Sequence, residues 1–140
     1  MGKIEIRADE SGICALLFRA DKDKNDASEM LDRAQRELEE YFAGRRKVFS
    51  VPLSIKGTAF QEKVWRALKD IPYGETRSYG DIAGAVGNKN AARAVGMANN
   101  KNPLPIIVPC HRVIGADGSL TGYGGGMAIK ENLLKLEGIL

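Results

Sequence analysis

The 140-residue chain has one histidine, two cysteines (Cys14 and Cys110) and one tryptophan, and aromatic residues make up only 6% of it. Two cysteines make no disulfide framework, and with one histidine they do not fill a four-ligand zinc site, so no metal and no cofactor are expected. Long apolar runs are also missing: the longest are a few residues, against the roughly 20 needed to cross a bilayer. The opening MGKIEIRADE is charged from the start, which leaves no room for the apolar core of a secretory signal. A reducing cytoplasm is the expected compartment.

Hydrophobic residues at 44% and charged residues at 28% are ordinary globular proportions. The length suits one domain, or one domain with a small appendage. The net charge of +3 is unevenly spread. Residues 1–50 carry 10 basic and 11 acidic side chains, whereas residues 51–140 carry 11 basic and 7 acidic. An anionic partner is therefore expected at the second part.

The pattern predicts a strand over Lys3–Arg7, with Ile4 and Ile6 on one face, and a second strand over Ile13–Phe18, covered on both faces. The turn residues Asp9–Gly12 make the two a hairpin. Asp21–Asp26 reads as a charged loop, and Leu31, Ala34, Leu38 and Phe42 as a helical stripe ending at Gly44. Arg45–Lys47 reads as a solvated basic turn. After Pro52 the texture becomes helical. Thr58 with Gln61, and Ser78 with Asp81, have capping-box spacing, and a third helix starts near Ala91. The expected fold is a small α/β domain over 1–52, followed by a mainly α domain over 53–140 with a winged-helix-like helix-turn-helix.

The helices over 78–86 and 91–100, joined by Gly87-Asn88-Lys89-Asn90, have helix-turn-helix proportions. Ala91, Ala94, Val95 and Ala98 are expected inward, leaving Ala92, Arg93, Gly96, Met97 and Asn100 outward. Small residues let a backbone approach a partner closely, and one long cation suits an anionic groove. On the residues alone, an αα-hairpin with an incidental arginine is the plainer reading.

The segment from Asn102 to Val113 is more specific. Ile106-Ile107-Val108 reads as a short buried strand, and prolines at 103, 105 and 109 stiffen the approach to Cys110. The only histidine, His111, follows directly, and Arg112 comes next. A thiolate is the reactive form of cysteine, and a nearby imidazolium or guanidinium favours it. Adjacent residues on an extended chain point to opposite sides, so a thiol–imidazole contact needs a bend or a bridging water. On the last helix, Ile129, Leu133 and Leu136 mark the expected buried face. Glu137 lies at its dipole-disfavoured end, either solvated or held by a cationic or imidazole partner.

The Pro109-Cys110-His111-Arg112-Val113 run, with Asn102-Pro103 and Ala92-Arg93-Ala94-Val95-Gly96 ahead of it, resembles the O6-alkylguanine-DNA alkyltransferases, over about Phe60–Gly138. The first domain matches more loosely. The resemblance implies direct, single-turnover transfer of an alkyl group from O6-alkylguanine, and from O4-alkylthymine, in DNA to Cys110. It implies that His111 acts through a water as base, that Glu137 orients it, and that Asn102 braces the turn behind Cys110. Tyr79 would crowd the target phosphate and donate a proton to the departing base. Arg93 would fill the space of a flipped nucleotide, with Ser78, Tyr79, Ala92, Ala94 and Gly96 also on the DNA. Tyr123, Gly124, Gly125, Val113, Pro105 and Lys130 would form the base pocket, the carbonyls of Cys110 and Val113 reading the guanine amine. The implied partner is double-stranded alkylated DNA bound through its minor groove by a monomer, with no membrane. The family's zinc-binding members use cysteines and histidines that this chain lacks.

A non-catalytic alkyl-lesion binding protein is the main alternative, and Cys110 argues against it. A sequence-specific regulator wants long polar side chains on the recognition helix. A cysteine hydrolase wants a histidine distant in sequence.

Overall fold

In the computed structural model, residues 4–18, 29–120 and 126–140 are described. The chain divides into two compact units, Met1–Lys56 and Gly57–Leu140. The loop expected at Asp21–Asp26 lies outside the described residues.

In the first unit, strands β1 (Ile4–Ala8) and β2 (Ile13–Phe18) form the expected antiparallel hairpin, with Ile6 opposite Leu16. Asp9 closes the turn, its carboxylate accepting from the Ser11 N–H at 2.8 Å. At Gly12 a Cβ would sit 2.6 Å from the Pro52 carbonyl oxygen, so a side chain is excluded by close backbone approach. β2 is less covered than expected: Ile13 and Leu16 are buried, but Cys14 is only half-buried. Among the described residues this ribbon has two strands and one helix packed on it.

That helix, α1 (Glu29–Phe42), buries Ala34, Glu37, Leu38 and Tyr41, whereas Leu31 and Phe42 are half-buried. The stripe is rotated because Glu37 belongs to it. The Glu37 carboxylate accepts from the Ser50 N–H at 2.9 Å, the Ser50 hydroxyl at 2.7 Å and the Val51 N–H at 3.1 Å. Arg46, expected in a solvated turn, instead pairs with Glu40 at 2.8 Å and approaches Glu37 at 3.7 Å. Burial works against the Glu37 charge, but the hydrogen bonds from Ser50 and Val51 outweigh it and hold the carboxyl below its ordinary 4.5. A lowered carboxyl pKa contributes stability above 4.5 that is lost as pH falls through the folded value. Glu37→Ala is expected to cost roughly 1–3 kcal/mol, the penalty for leaving buried donors unpaired, and to weaken this acid dependence; chemical denaturation at neutral and acid pH measures both.

The connector returns to β2: the Ile13 N–H donates to the Pro52 carbonyl at 2.8 Å and the Ser54 N–H to the Ile13 carbonyl at 2.7 Å. These ladder bonds tie Leu53 and Ser54 to the first unit, so the division falls at 56/57 rather than 52/53.

The second unit is mainly helical. Both capping boxes form: Thr58 with Gln61 opens α2 (Ala59–Lys69), and Ser78 with Asp81 opens α3 (Tyr79–Ala85). Gly87, at φ +84, takes the left-handed conformation that turns the chain toward α4 (Ala92–Asn100). α4 packs on α2 and α3, and the Trp65 indole donates to the Ala98 carbonyl at 2.9 Å. Its buried residues are Ala91, Val95, Ala98 and Asn99, while Ala94 is exposed. At about 100° per residue, Val95, Ala98 and Asn99 centre the packed face well to one side of Ala94. β3 (Arg77–Ser78) pairs in parallel with β4 (Val113–Ile114), and α5 (Met127–Leu136) completes the unit. Among the described residues no helix is long and apolar enough to cross a membrane.

Candidate active site

The expected strand over Ile106–Val108 does not form. The segment is a chain of turns in which the Val108 N–H donates to the Leu104 carbonyl at 2.8 Å. Ile106 sits at φ +75 although it is β-branched and almost fully buried. That conformation costs on the order of 1–3 kcal/mol and persists only where its surroundings enforce it. Asn102, half-buried, supplies part of that enforcement: its amide donates to the Val108 carbonyl at 2.8 Å and accepts from the Leu104 N–H at 2.9 Å. Its side chain thus staples both ends of the turn.

Pro109, at φ −80 and ψ 66, then reverses the chain, with the Cys110 N–H bonded to the Val108 carbonyl at 2.8 Å. Cys110–Arg112 form a single 3-10 turn and all three side chains are buried. The extended-chain geometry that would separate Cys110 from His111 is therefore absent, and the expected bend is present.

Glu137, the C-cap of α5, meets His111 here. Its side chain is fully buried and its Oε2 lies 2.6 Å from His111 Nε2. Arg112 donates to the same carboxylate from Nε at 2.8 Å and from Nη2 at 3.1 Å, and the Gly74 N–H donates to Oε1 at 3.2 Å. Of the two readings of Glu137, the partnered one holds. A carboxylate that accepts two guanidinium N–H groups is ionised, so His111 Nε2 carries the proton and Nδ1 keeps its lone pair. Nδ1 is buried and has no hydrogen-bond partner among the described residues. Burial lowers the His111 pKa below 6.5 more than Glu137 raises it, so the imidazole is neutral at pH 7 and able to take up a proton.

Arg112 is committed elsewhere than the thiol. Besides Glu137 it donates to the Ile71 carbonyl at 2.7 Å, and its guanidinium lies 5.6 Å from the centre of the Tyr73 ring. The other buried cation of this region is Lys130, whose Nζ donates to the Val113 carbonyl at 2.6 Å. Burial draws its pKa down to about 8, the charge of Cys110 opposing that fall, so it is still mostly protonated at pH 7.

α5 buries Lys130, Leu133 and Leu134, with Glu137 buried at its C-cap, whereas Ile129 and Leu136 are half-buried. Two residues of this i, i+3, i+4, i+7 stripe are charged, so hydrophobic periodicity misplaced the face. Asn99 was also missed; its amide donates to the Cys110 carbonyl at 3.4 Å. Only its position one residue after inward-facing Ala98 hinted at this. Val113 is buried and Pro105 half-buried, while Tyr123, Gly124 and Gly125 lie outside the described residues.

The residues expected on the DNA are less buried. Arg93 and Ala94 are exposed, and Ser78, Tyr79, Ala92 and Gly96 are half-buried. A Cβ on Gly96 would lie 3.8 Å from the Tyr79 ring, so Tyr79 stands against the outward side of α4. Ala94, expected both inward and on the DNA side, faces outward. Among the described residues no group of three or more His, Cys, Asp or Glu side chains is placed to hold a metal ion.

Comparison with known proteins identifies the family. The family model of the 6-O-methylguanine DNA methyltransferase DNA binding domain matches residues 59–139, and that of the same family's ribonuclease-like domain matches 1–55. The methylated-DNA--protein-cysteine methyltransferase of Methanosarcina acetivorans is 54% identical over 145 residues, covering 99% of this chain and 93% of that protein. The constitutive enzyme of Bacillus subtilis is 63% identical over 110 residues, covering 78% and 67%. The crystal structure of Mycobacterium tuberculosis OGT in complex with DNA superposes with a TM-score of 0.87 at 48% identity, covering 96% of this chain and 85% of that one. With both of its units matched, and its cysteine, histidine and glutamate gathered at one buried point, the chain belongs to the 6-O-methylguanine DNA methyltransferase family.

Proposed function

We propose that the chain repairs DNA by moving the alkyl group of an O6-alkylguanine, and of an O4-alkylthymine, onto Sγ of its own Cys110. The observation that carries this is the buried Cys110-His111 turn with Glu137 on Nε2 and a lone pair left at Nδ1. A water bridging Nδ1 and Sγ passes the thiol proton to His111, and the thiolate attacks the alkyl carbon in line. The S–C bond forms as the C–O6 bond breaks, and the Tyr79 hydroxyl gives the departing guanine its proton. The product is a thioether that no neighbouring group cleaves, so each chain reacts once. Asn102 holds the turn, while Val113, Pro105 and Lys130, with Tyr123, Gly124 and Gly125, wall the base pocket.

A base inside a duplex is out of reach of a buried thiol, so the nucleotide is flipped out at a cost of a few kcal/mol. The helix-turn-helix formed by α3 and α4 enters the minor groove as a monomer, Arg93 filling the gap and Ser78, Ala92, Ala94 and Gly96 lying along the backbone. The setting is the cytoplasm, where reducing conditions keep both cysteines out of disulfides. Arg93→Ala is expected to slow transfer from duplex DNA far more than transfer from free O6-alkylguanine, which needs no flipping. Equal losses on both substrates in a single-turnover assay would overturn this role. Duplex affinity should also fall as salt rises, because phosphate contacts release counterions.

A further inference from the structure

Cys110 carries its sulfur on a Cα set between two peptide planes, and the structure holds both. The plane ahead is held by the Cys110 N–H, which donates to the Val108 carbonyl at 2.8 Å. The plane behind is held through the Cys110 carbonyl, which accepts from the Val113 N–H and, across the fold, from Asn99 Nδ2 at 3.4 Å. Peptide planes are stiff, so fixing both fixes φ and ψ of Cys110 and with them the direction of the bond that carries Sγ. The Val113 contact only closes the 3-10 turn itself, where hydrogen-bond geometry is poor. Asn99 is the anchor from outside that turn. It stands in the last turn of α4, which the Trp65 indole ties to α2 through the adjacent Ala98 carbonyl at 2.9 Å.

The same amide does little for stability. Asn99 is 2% exposed, yet its Oδ1 has no hydrogen-bond partner among the described residues. A buried acceptor left unpaired works against folding and offsets what the Nδ2 bond contributes. Without Asn99 the Cys110 carbonyl would still have the Val113 N–H. We infer that Asn99 is a positioning residue of the transfer: by holding the Cys110 peptide to α4 it aims Sγ for in-line attack on the alkyl carbon. This rests on the reading of Cys110 as the alkyl acceptor. Displacement at carbon is steep in direction, and a misplacement of about 1 Å costs on the order of 10²-fold in rate.

The test is single-turnover transfer, duplex binding and thermal melting of the full chain, Asn99→Leu and Asn99→Gln. Leucine is of similar size and lacks both polar atoms, whereas glutamine keeps the amide on a longer arm. The probes are a duplex carrying one O6-methylguanine and the free alkylated base. Asn99→Leu is expected to melt within about 4 °C of the unsubstituted chain or above it, and to bind the duplex as tightly. It should transfer at least tenfold more slowly, roughly, from both substrates, because the aim is lost at the sulfur however the base arrives. Asn99→Gln should recover most of that rate. An Asn99→Leu chain that transfers within about twofold of the unsubstituted rate, that is slow only on the duplex, or whose slowness comes with a larger fall in melting temperature would overturn the inference. So would an Asn99→Gln chain as slow as Asn99→Leu. An unsubstituted chain that takes no alkyl group at Cys110 from either substrate removes the reading beneath it, and the role of Asn99 with it.

Discussion

Incubation with an excess of duplex carrying O6-methylguanine is expected to leave one methyl group on each chain, at Cys110, and no more. Cys110 is the cysteine that shares a buried turn with the chain's only histidine, and that histidine is held by an ionised carboxylate at 2.6 Å. Cys14, half-buried on β2, is the internal control. It is more accessible than the sequence led one to expect, so its failure to react would reflect a missing base rather than burial. Cys110→Ala should abolish transfer while leaving lesion binding, because it removes the alkyl acceptor but keeps the backbone of the turn. His111→Ala should slow transfer about 10²-fold, the lower range for loss of a general base. Intact-mass analysis followed by peptide mapping reads all of these outcomes. More than one alkyl group removed per chain, or a modified Cys14, would rule out the mechanism.

Glu137→Ala should be the most destabilising of these substitutions, because one carboxylate satisfies His111, Arg112 and the Gly74 N–H at once. Removing it leaves a buried guanidinium with, among the described residues, the Ile71 carbonyl and the face of Tyr73. Losing one partner of a buried pair costs roughly 3–5 kcal/mol. For a unit of this size that is a fall in Tm of more than about 12 °C. Glu137→Gln keeps the shape and some of the hydrogen bonds, so it should fold better, yet still react slowly because an amide does not stabilise the imidazolium that forms during transfer. The pH dependence has a definite sign. His111 is held neutral by burial, its folded pKa lying below 6.5. The unfolded chain therefore binds the extra proton first, and stability falls as pH drops below 6.5. A Glu137→Ala chain that melts with the unsubstituted one, or a Glu137→Gln chain that reacts as fast, would show that Glu137 serves neither purpose.

The elements whose signals are local in the chain were legible in the sequence: the Ile4–Phe18 hairpin, the capping boxes at Thr58 and Ser78, and the tight turn at Gly87. Each rests on side chain-to-backbone bonds or conformational preferences spanning a few residues, which the sequence specifies without reference to the rest of the fold. The Cys110-His111 adjacency was equally plain, and so was the suspicion that Glu137 needs a partner. What the sequence could not decide was every helix face that buries a charge. Glu37 on α1, and Lys130 and Glu137 on and at the end of α5, lie in core stripes that periodicity reserves for apolar residues. Burying them is tolerated only because acceptors and donors from distant segments, Ser50, Val113, Arg112 and His111, meet them there. The same holds for Ile106, which with Ile107 and Val108 makes a run of three β-branched residues that reads as a strand. Its left-handed backbone is imposed by the Asn102 staple and by burial, not by its own preference. The sequence by itself marked Cys110, His111 and Glu137 as the candidate site and placed the helical segments. Only the tertiary structure decided that Arg112 meets the Glu137 carboxylate and Lys130 the Val113 carbonyl, since which buried acceptor lies within reach of each cation is set by the packing of segments distant in sequence.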